Sequence, residues 1–145
     1  MNANIPPELR GLRRFLAIAD VPADVFKSLL AFAIERKKAF RAGRLEPRLR
    51  GKALAMLFQK PSLRTRLSFE LAMLQLGGHA INLEDHQVGM GKREAVEDIA
   101  RVISSMCDGI MARVYEHAFI ESLARHATVP VINGLSDTCL LYTSD

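Results

Sequence analysis

The chain has 145 residues, 49% hydrophobic and 25% charged, with nine glycines and six prolines; this excludes collagen, coiled coil and disorder and suits a single domain. Such a domain buries about 68–70% of the surface its unfolded chain exposes, so a core forms without staples, and the two cysteines, Cys107 and Cys139, fit a reducing compartment. The net charge of +4 comes with no run of about 18 apolar residues and no apolar N-terminal stretch with a cleavage site, so neither a membrane span nor a secretory signal is visible and the expected location is the cytoplasm.

From Pro22 to Ala42, Val25, Phe26, Leu29, Leu30, Phe32, Ala33 and Ile34 recur at three- and four-residue spacing, which predicts an amphipathic helix with Pro22 in its first turn and Gly43 as its stop. Basic charge collects here: residues 1–60 hold 13 Lys and Arg against 5 Asp and Glu, whereas residues 61–145 hold 7 against 11. The cluster from Arg36 to Lys52 falls at the end of that helix and in the polar connection after it. There, cations complement the helix dipole, and a single aromatic side chain, Phe40, interleaves where stacking of successive bases needs several, so no nucleic-acid partner is expected.

Lys52 to Phe58 is a short apolar run between Gly51 and Pro61, the punctuation of a strand buried on both faces. A second helix is predicted from Ser62 to Leu76, with Leu67, Leu71 and Leu74 on its apolar stripe and a stop at Gly77-Gly78. Ala80 to Leu83 reads as a strand, Glu84 to Arg93 as a loop, Glu94 to Met106 as a helix and Gly109 to Val114 as a strand. Ala118 to His126 then gives a helix and Val129 to Ile132 a strand, ending at Asn133-Gly134. The alternation predicts an α/β fold: a parallel sheet of about four strands with crossover helices on both faces.

Ligands of such sheets bind outside the carboxyl ends of the strands. After the first long strand comes Gln59-Lys60-Pro61-Ser62-Leu63-Arg64-Thr65-Arg66, which crowds two hydroxyls and two arginines onto a helix N-terminus. Unpaired first-turn N–H groups, the hydroxyls of Ser62 and Thr65 and the planar fork of Arg64 all favour an oxyanion. Ser62 is also a good N-cap and the arginines could be solvated. Cations in a first helical turn, however, oppose the dipole unless an anion sits there.

The segment Phe58-Gln59-Lys60-Pro61-Ser62-Leu63-Arg64-Thr65-Arg66-Leu67-Ser68-Phe69-Glu70 resembles the carbamoyl-phosphate motif of the transcarbamylases, with Leu63 where Thr is usual. Leu76-Gly77-Gly78-His79-Ala80, Asp98-Ile99-Ala100-Arg101-Val102, Asp108-Gly109-Ile110-Met111-Ala112-Arg113 and Val129 to Asp137 look like further landmarks of the aspartate/ornithine carbamoyltransferase family, nearer its ornithine branch. The resemblance runs from about residue 12 to residue 138. It implies a two-domain enzyme of which residues 1–138 are the first, carbamoyl-phosphate-binding domain. The second, ornithine-binding domain is expected to lie outside this chain.

By position, the resemblance makes Ser62, Leu63, Arg64 and Thr65 the phosphate ligands, Leu63 through its backbone alone, with Arg66 as a weaker candidate. Arg113 matches the catalytic arginine near the carbonyl oxygen, although read by itself it could pair with Glu116. Gln87, or alternatively Lys92, matches a residue that reaches a neighbouring subunit's site. The implied reaction transfers the carbamoyl group to ornithine, giving citrulline and phosphate on the way to arginine, in a homotrimer with no metal or organic cofactor. Aspartate, acetylornithine and putrescine are alternative acceptors, and a non-catalytic phosphate-binding module is an alternative of another class. This chain alone is expected to be inactive.

Other patterns carry less. Gly89-Met90-Gly91-Lys92 is followed by Arg93 where a nucleotide loop needs Ser or Thr, and four histidines and two cysteines show no metal-ligand spacing. His117 and His126 are read as surface or cap residues, and Cys107 as a packed thiol. After Thr138 the family carries His-Pro-x-Gln, but here Cys139 to Asp145 follows. That heptapeptide can be encoded by a DNA sequence resembling a transposon end used in library adaptors. Residues 139–145 are therefore expected to be an artefactual tail.

Overall fold

The computed structural model describes residues 5–90 and 93–137. Lys92 and the expected tail at 139–145 lie outside them. Five strands, β1 (Arg14–Phe15), β2 (Ala53–Phe58), β3 (His79–Glu84), β4 (Gly109–Arg113) and β5 (Val131–Leu135), alternate with α1 (Ala23–Arg41), α2 (Leu63–Gln75), α3 (Asp85–Val88), α4 (Val96–Met106) and α5 (His117–His126). All pairings are parallel and the order is β1-β5-β4-β2-β3.

The sheet thus has five strands where about four are expected. The addition is β1, two residues held at the edge against Val131 and Ile132. So short a strand carries no alternation of its own and forms only because β5 offers it an open edge.

The apolar run of β2 is buried from Leu54 to Phe58, as a central parallel strand requires. Its alternation splits the core in two. Ala55 and Leu57 join Ile110, Ala112 and Val114 beneath Ile99 and Ile103 of α4 and Ile120 and Leu123 of α5. Leu54, Met56 and Phe58 face the other way, with Met111, against Met73 and Phe69 of α2. Helices therefore cover both faces.

The stripe expected to bury α2 is instead its outer side, with Leu67, Leu71 and Leu74 exposed and Met73 buried. Apolar residues lie all round this helix, so periodicity does not single out a face, and contact with the sheet decides. Nor does α1 bury any residue, and Leu30, Ile34 and Phe40 are exposed on it. The helix stop at Gly77 is as expected, with φ +84°, where L residues with a Cβ are disfavoured.

The basic cluster is partly neutralised. Arg36 pairs with Glu35 and lies over Phe32, Arg48 pairs with Glu46, and Lys52 Nζ is 2.7 Å from Asp108. The Lys52 ammonium, joined by the Ala53 N–H, holds the Asp108 carboxyl below its ordinary range. No described helix is long and apolar enough to cross a membrane.

Two boundaries move. Glu84–Gln87 forms a capping box, so part of the expected loop is the single turn α3. Asn133-Gly134 is not a stop: β5 runs through it, and the register passes from Ala112↔Asn133 to Arg113↔Leu135, leaving Gly134 as a bulge.

Candidate active site

The strand order fixes where a ligand belongs. From β2 the chain crosses by α2 on one face to β3, and from β4 it crosses by α5 on the other face to β5. Because β2 and β4 are neighbours, the loops leaving their carboxyl ends diverge and open a crevice between Phe58 and Arg113, which are register partners. Chain 59–66 and Arg113 flank this switch point.

The two loops are laced together. Gln59 N–H donates to the Arg113 carbonyl at 2.9 Å, Tyr115 N–H donates to Gln59 Oε1 at 3.0 Å, and Lys60 Nζ sits 4.7 Å from the centre of the Tyr115 ring. Neither Gln59 nor Tyr115 is singled out by the sequence reading. Their pairing spans 56 residues, so no local pattern announces it.

Ser62 is the N-cap of α2. Its Oγ accepts from Thr65 N–H at 3.4 Å and donates to Thr65 Oγ1 at 2.9 Å, and its carbonyl accepts from Arg66 N–H at 3.1 Å. Capping therefore uses the N–H groups of Thr65 and Arg66 and leaves those of Leu63 and Arg64, the first two of the helix, for an anion. Ser62 is both cap and candidate ligand, and its cap bond is long enough to yield.

The arginines divide. Arg66 is held by Glu70 at 2.8 Å, with Glu84 at 3.9 Å, so much of its charge is already answered. Arg64 is exposed and forms no ion pair among the described residues. Its charge is the one the first turn keeps for a ligand.

Arg113 is half-buried. Its Nη1 donates to the Gly134 carbonyl at 3.3 Å while its Nε is buried without a partner. Glu116, its alternative partner, forms no ion pair with it among the described residues.

A cleft of about 540 Å3 opens beside this centre, on the β3 side, with Ser62, Leu63 and Arg66 on one wall and Asn82, Glu84 and Asp85 on the other. Asn82 Oδ1 and Asp85 Oδ1 are buried there without partners. Of the sequence-derived ligands, Arg64, Thr65 and Arg113 do not line it. Arg113 lies at the switch point, where its carbonyl accepts from Gln59 N–H in the loop that leads to the α2 N-terminus carrying Arg64 and Thr65. Gln87 does not line the cleft: its Oε1 accepts from Glu84 N–H at 3.1 Å and closes the turn of α3.

His117 is more than a cap residue. Its Nδ1 is 2.8 Å from Oγ of the buried Ser136. His126 is the last residue of α5, its Nδ1 2.9 Å from the Ser122 carbonyl, and the C-cap is Ala127. Cys107 packs against the core, and burial pushes its thiol up.

Residues 13–139 match the family described as aspartate/ornithine carbamoyltransferase, carbamoyl-P binding domain. The chain belongs to this family. An ornithine carbamoyltransferase of Anoxybacillus flavithermus is 46% identical over 137 residues, covering 94% of this chain and 43% of the relative. The ornithine carbamoyltransferase of Chlorobaculum tepidum is 58% identical over 89 residues, covering 61% of this chain and 26% of the relative. The solved ornithine carbamoyltransferase of Pyrococcus furiosus superposes with a TM-score of 0.84 at 48% identity, covering 87% of this chain and 40% of that one. The chain thus spans less than half the length of these carbamoyltransferases.

Proposed function

We propose that this chain is the carbamoyl-phosphate-binding domain of a two-domain ornithine carbamoyltransferase, with residues 1–138 forming the domain. The observation that carries the reading is the coincidence of the Ser62–Arg66 helix start and Arg113 at the switch point of a sheet whose family is a carbamoyltransferase family.

The phosphate rests on the N–H groups of Leu63 and Arg64, the hydroxyls of Ser62 and Thr65 and the guanidinium of Arg64, with Arg66 at its margin. Arg113, directed by the Gly134 carbonyl, bonds the carbonyl oxygen of the substrate. When the neutral amine of ornithine attacks the carbonyl carbon, the new C–N bond draws electrons onto that oxygen, and Arg113 stabilises the charge. Collapse breaks the C–O bond to phosphate, which leaves with the electron pair, and the nitrogen gives up its proton. Citrulline and phosphate are the products. The step needs neither a redox partner nor an organic cofactor.

The acceptor site lies on the second domain of the complete enzyme. The parent enzyme is a cytoplasmic homotrimer in which the segment around Gln87 and Lys92 reaches a neighbouring subunit's site. The partial neutralisation of the basic cluster disfavours the rival nucleic-acid reading.

The test is an acceptor panel. The complete enzyme, assayed with carbamoyl phosphate and ornithine, aspartate, acetylornithine or putrescine, is expected to release phosphate with ornithine and to form citrulline. Preference for another amine overturns the acceptor, and no turnover with any of the four leaves the phosphate-binding module as the better reading.

A further inference from the structure

The bulge in β5 does something specific to Arg113. With Gly134 unpaired between Asn133 and Leu135, its carbonyl is free to receive Arg113 Nη1. A Cβ on Gly134 would lie 2.4 Å from Met111 Sδ, so a larger residue there would have to displace the buried Met111 side chain. The next residue is strained: Leu135 has φ +130°. Such a conformation persists only where the surroundings over-determine it.

Those surroundings form one hydrogen-bonded cluster. Asn133 Oδ1 accepts from Leu135 N–H at 3.0 Å, and Asn133 Nδ2 donates to Ser136 Oγ at 3.0 Å and to the Leu16 carbonyl at 2.8 Å. Ser136 is 4% exposed and its Oγ lies 2.8 Å from His117 Nδ1. Since Oγ already accepts from Asn133, its hydrogen is best used by donating to an unprotonated Nδ1. Two main-chain N–H groups close the same joint, that of His117 donating to the Asp137 side-chain Oδ1 at 2.8 Å and that of Val114 to the Leu135 carbonyl at 3.1 Å. His117 is the member that comes from α5, and it ties the bulge to the helix that follows Arg113.

We propose that His117 is a positioning residue for Arg113, acting through the Ser136 hydroxyl and the Asn133–Leu135 bulge to fix the Gly134 carbonyl that aims the guanidinium. The importance of this aim for ligand binding rests on the reading of Arg113 as a carbamoyl-phosphate ligand. The aim itself does not.

The experiment follows the Arg113 Nε–H resonance in the 15N-labelled, ligand-free 145-residue chain, together with titrations by carbamoyl phosphate and inorganic phosphate. His117→Ala is expected to broaden that resonance and weaken carbamoyl-phosphate affinity about tenfold, the scale of one strong hydrogen bond. His117→Asn, which keeps an acceptor near the Nδ1 position, is expected to restore both. Ser136→Ala reproduces the effect of His117→Ala and decides the matter if the latter unfolds. An Arg113 resonance unmoved in the folded His117→Ala and Ser136→Ala variants overturns the proposal. A wild-type chain that binds neither anion while its Arg113 resonance still depends on His117 overturns the reading of the site and upholds the positioning.

Discussion

Arg113→Ala in the complete enzyme is expected to lower kcat/KM by on the order of 3 kcal/mol, roughly a hundredfold, the cost of removing one preorganised donor from a developing oxyanion. The expectation rests on the place of Arg113 at the end of a buried strand, beside the loop that leads to Ser62, with its guanidinium half-buried and aimed by a carbonyl. A side chain so held loses little freedom when it meets the substrate. Arg113→Lys should recover little, because an ammonium cannot bond the Gly134 carbonyl and the substrate in the plane of a single fork. Steady-state kinetics at varied carbamoyl phosphate checks both. The fold should survive, since Arg113 contributes its backbone to the sheet whatever its side chain. Unchanged turnover in either variant removes Arg113 from the mechanism.

Leu123→Ala should destabilise the 145-residue chain by about 2–5 kcal/mol, the range for a truncated buried leucine that leaves a cavity. Leu123 is fully buried in the cluster shared by α4, α5 and the sheet, a layer with no exposed side onto which it could relax. Leu74→Ala is the matched control: Leu74 is 67% exposed, and its loss should change stability by within about 0.5 kcal/mol. Urea unfolding followed by circular dichroism reads both, with the midpoint moving and the slope constant if the effect is on stability alone. Equal effects of the two substitutions would mean that α2 buries its leucine stripe after all.

The contrast between these leucines shows what was legible in the chain and what was not. The run from Ala53 to Phe58 reads as a buried strand because Gly51 and Pro61 bound it and every residue between is apolar, so no neighbour is needed to interpret it. The stop of α2 at Gly77 is local in the same way. Its buried face is not, since leucines lie on several sides and the sheet decides which are covered. The strand β1 is invisible for a related reason: Arg14 and Phe15 extend only because Val131 and Ile132 present an open edge 116 residues or more further on.

The candidate site divides along the same line. Ser62 to Arg66 is legible because a phosphate-binding helix start is a local device, with hydroxyls and arginines crowded onto the first turn after a strand. Arg113 is singled out by the family resemblance, and its place at the end of another strand only supports that assignment. What joins them, the adjacency of β2 and β4, is a property of strand order that no segment carries alone. Asn133-Gly134 has the composition of a turn, and only its pairing with Ala112 and Arg113 makes it a bulge. His117 is read only as a surface or cap residue for the same reason, its partner Ser136 lying 19 residues away.

The account centres on an anion seated at the start of α2, and amide resonances of the 145-residue chain titrated with carbamoyl phosphate test it most directly. The N–H signals of Leu63, Arg64 and Thr65 are expected to shift together along one saturating curve, to move in the same direction with inorganic phosphate alone, and to respond much more weakly in Arg64→Ala. A folded chain in which those three signals stay still at saturating ligand, or move only with salt, contradicts the account.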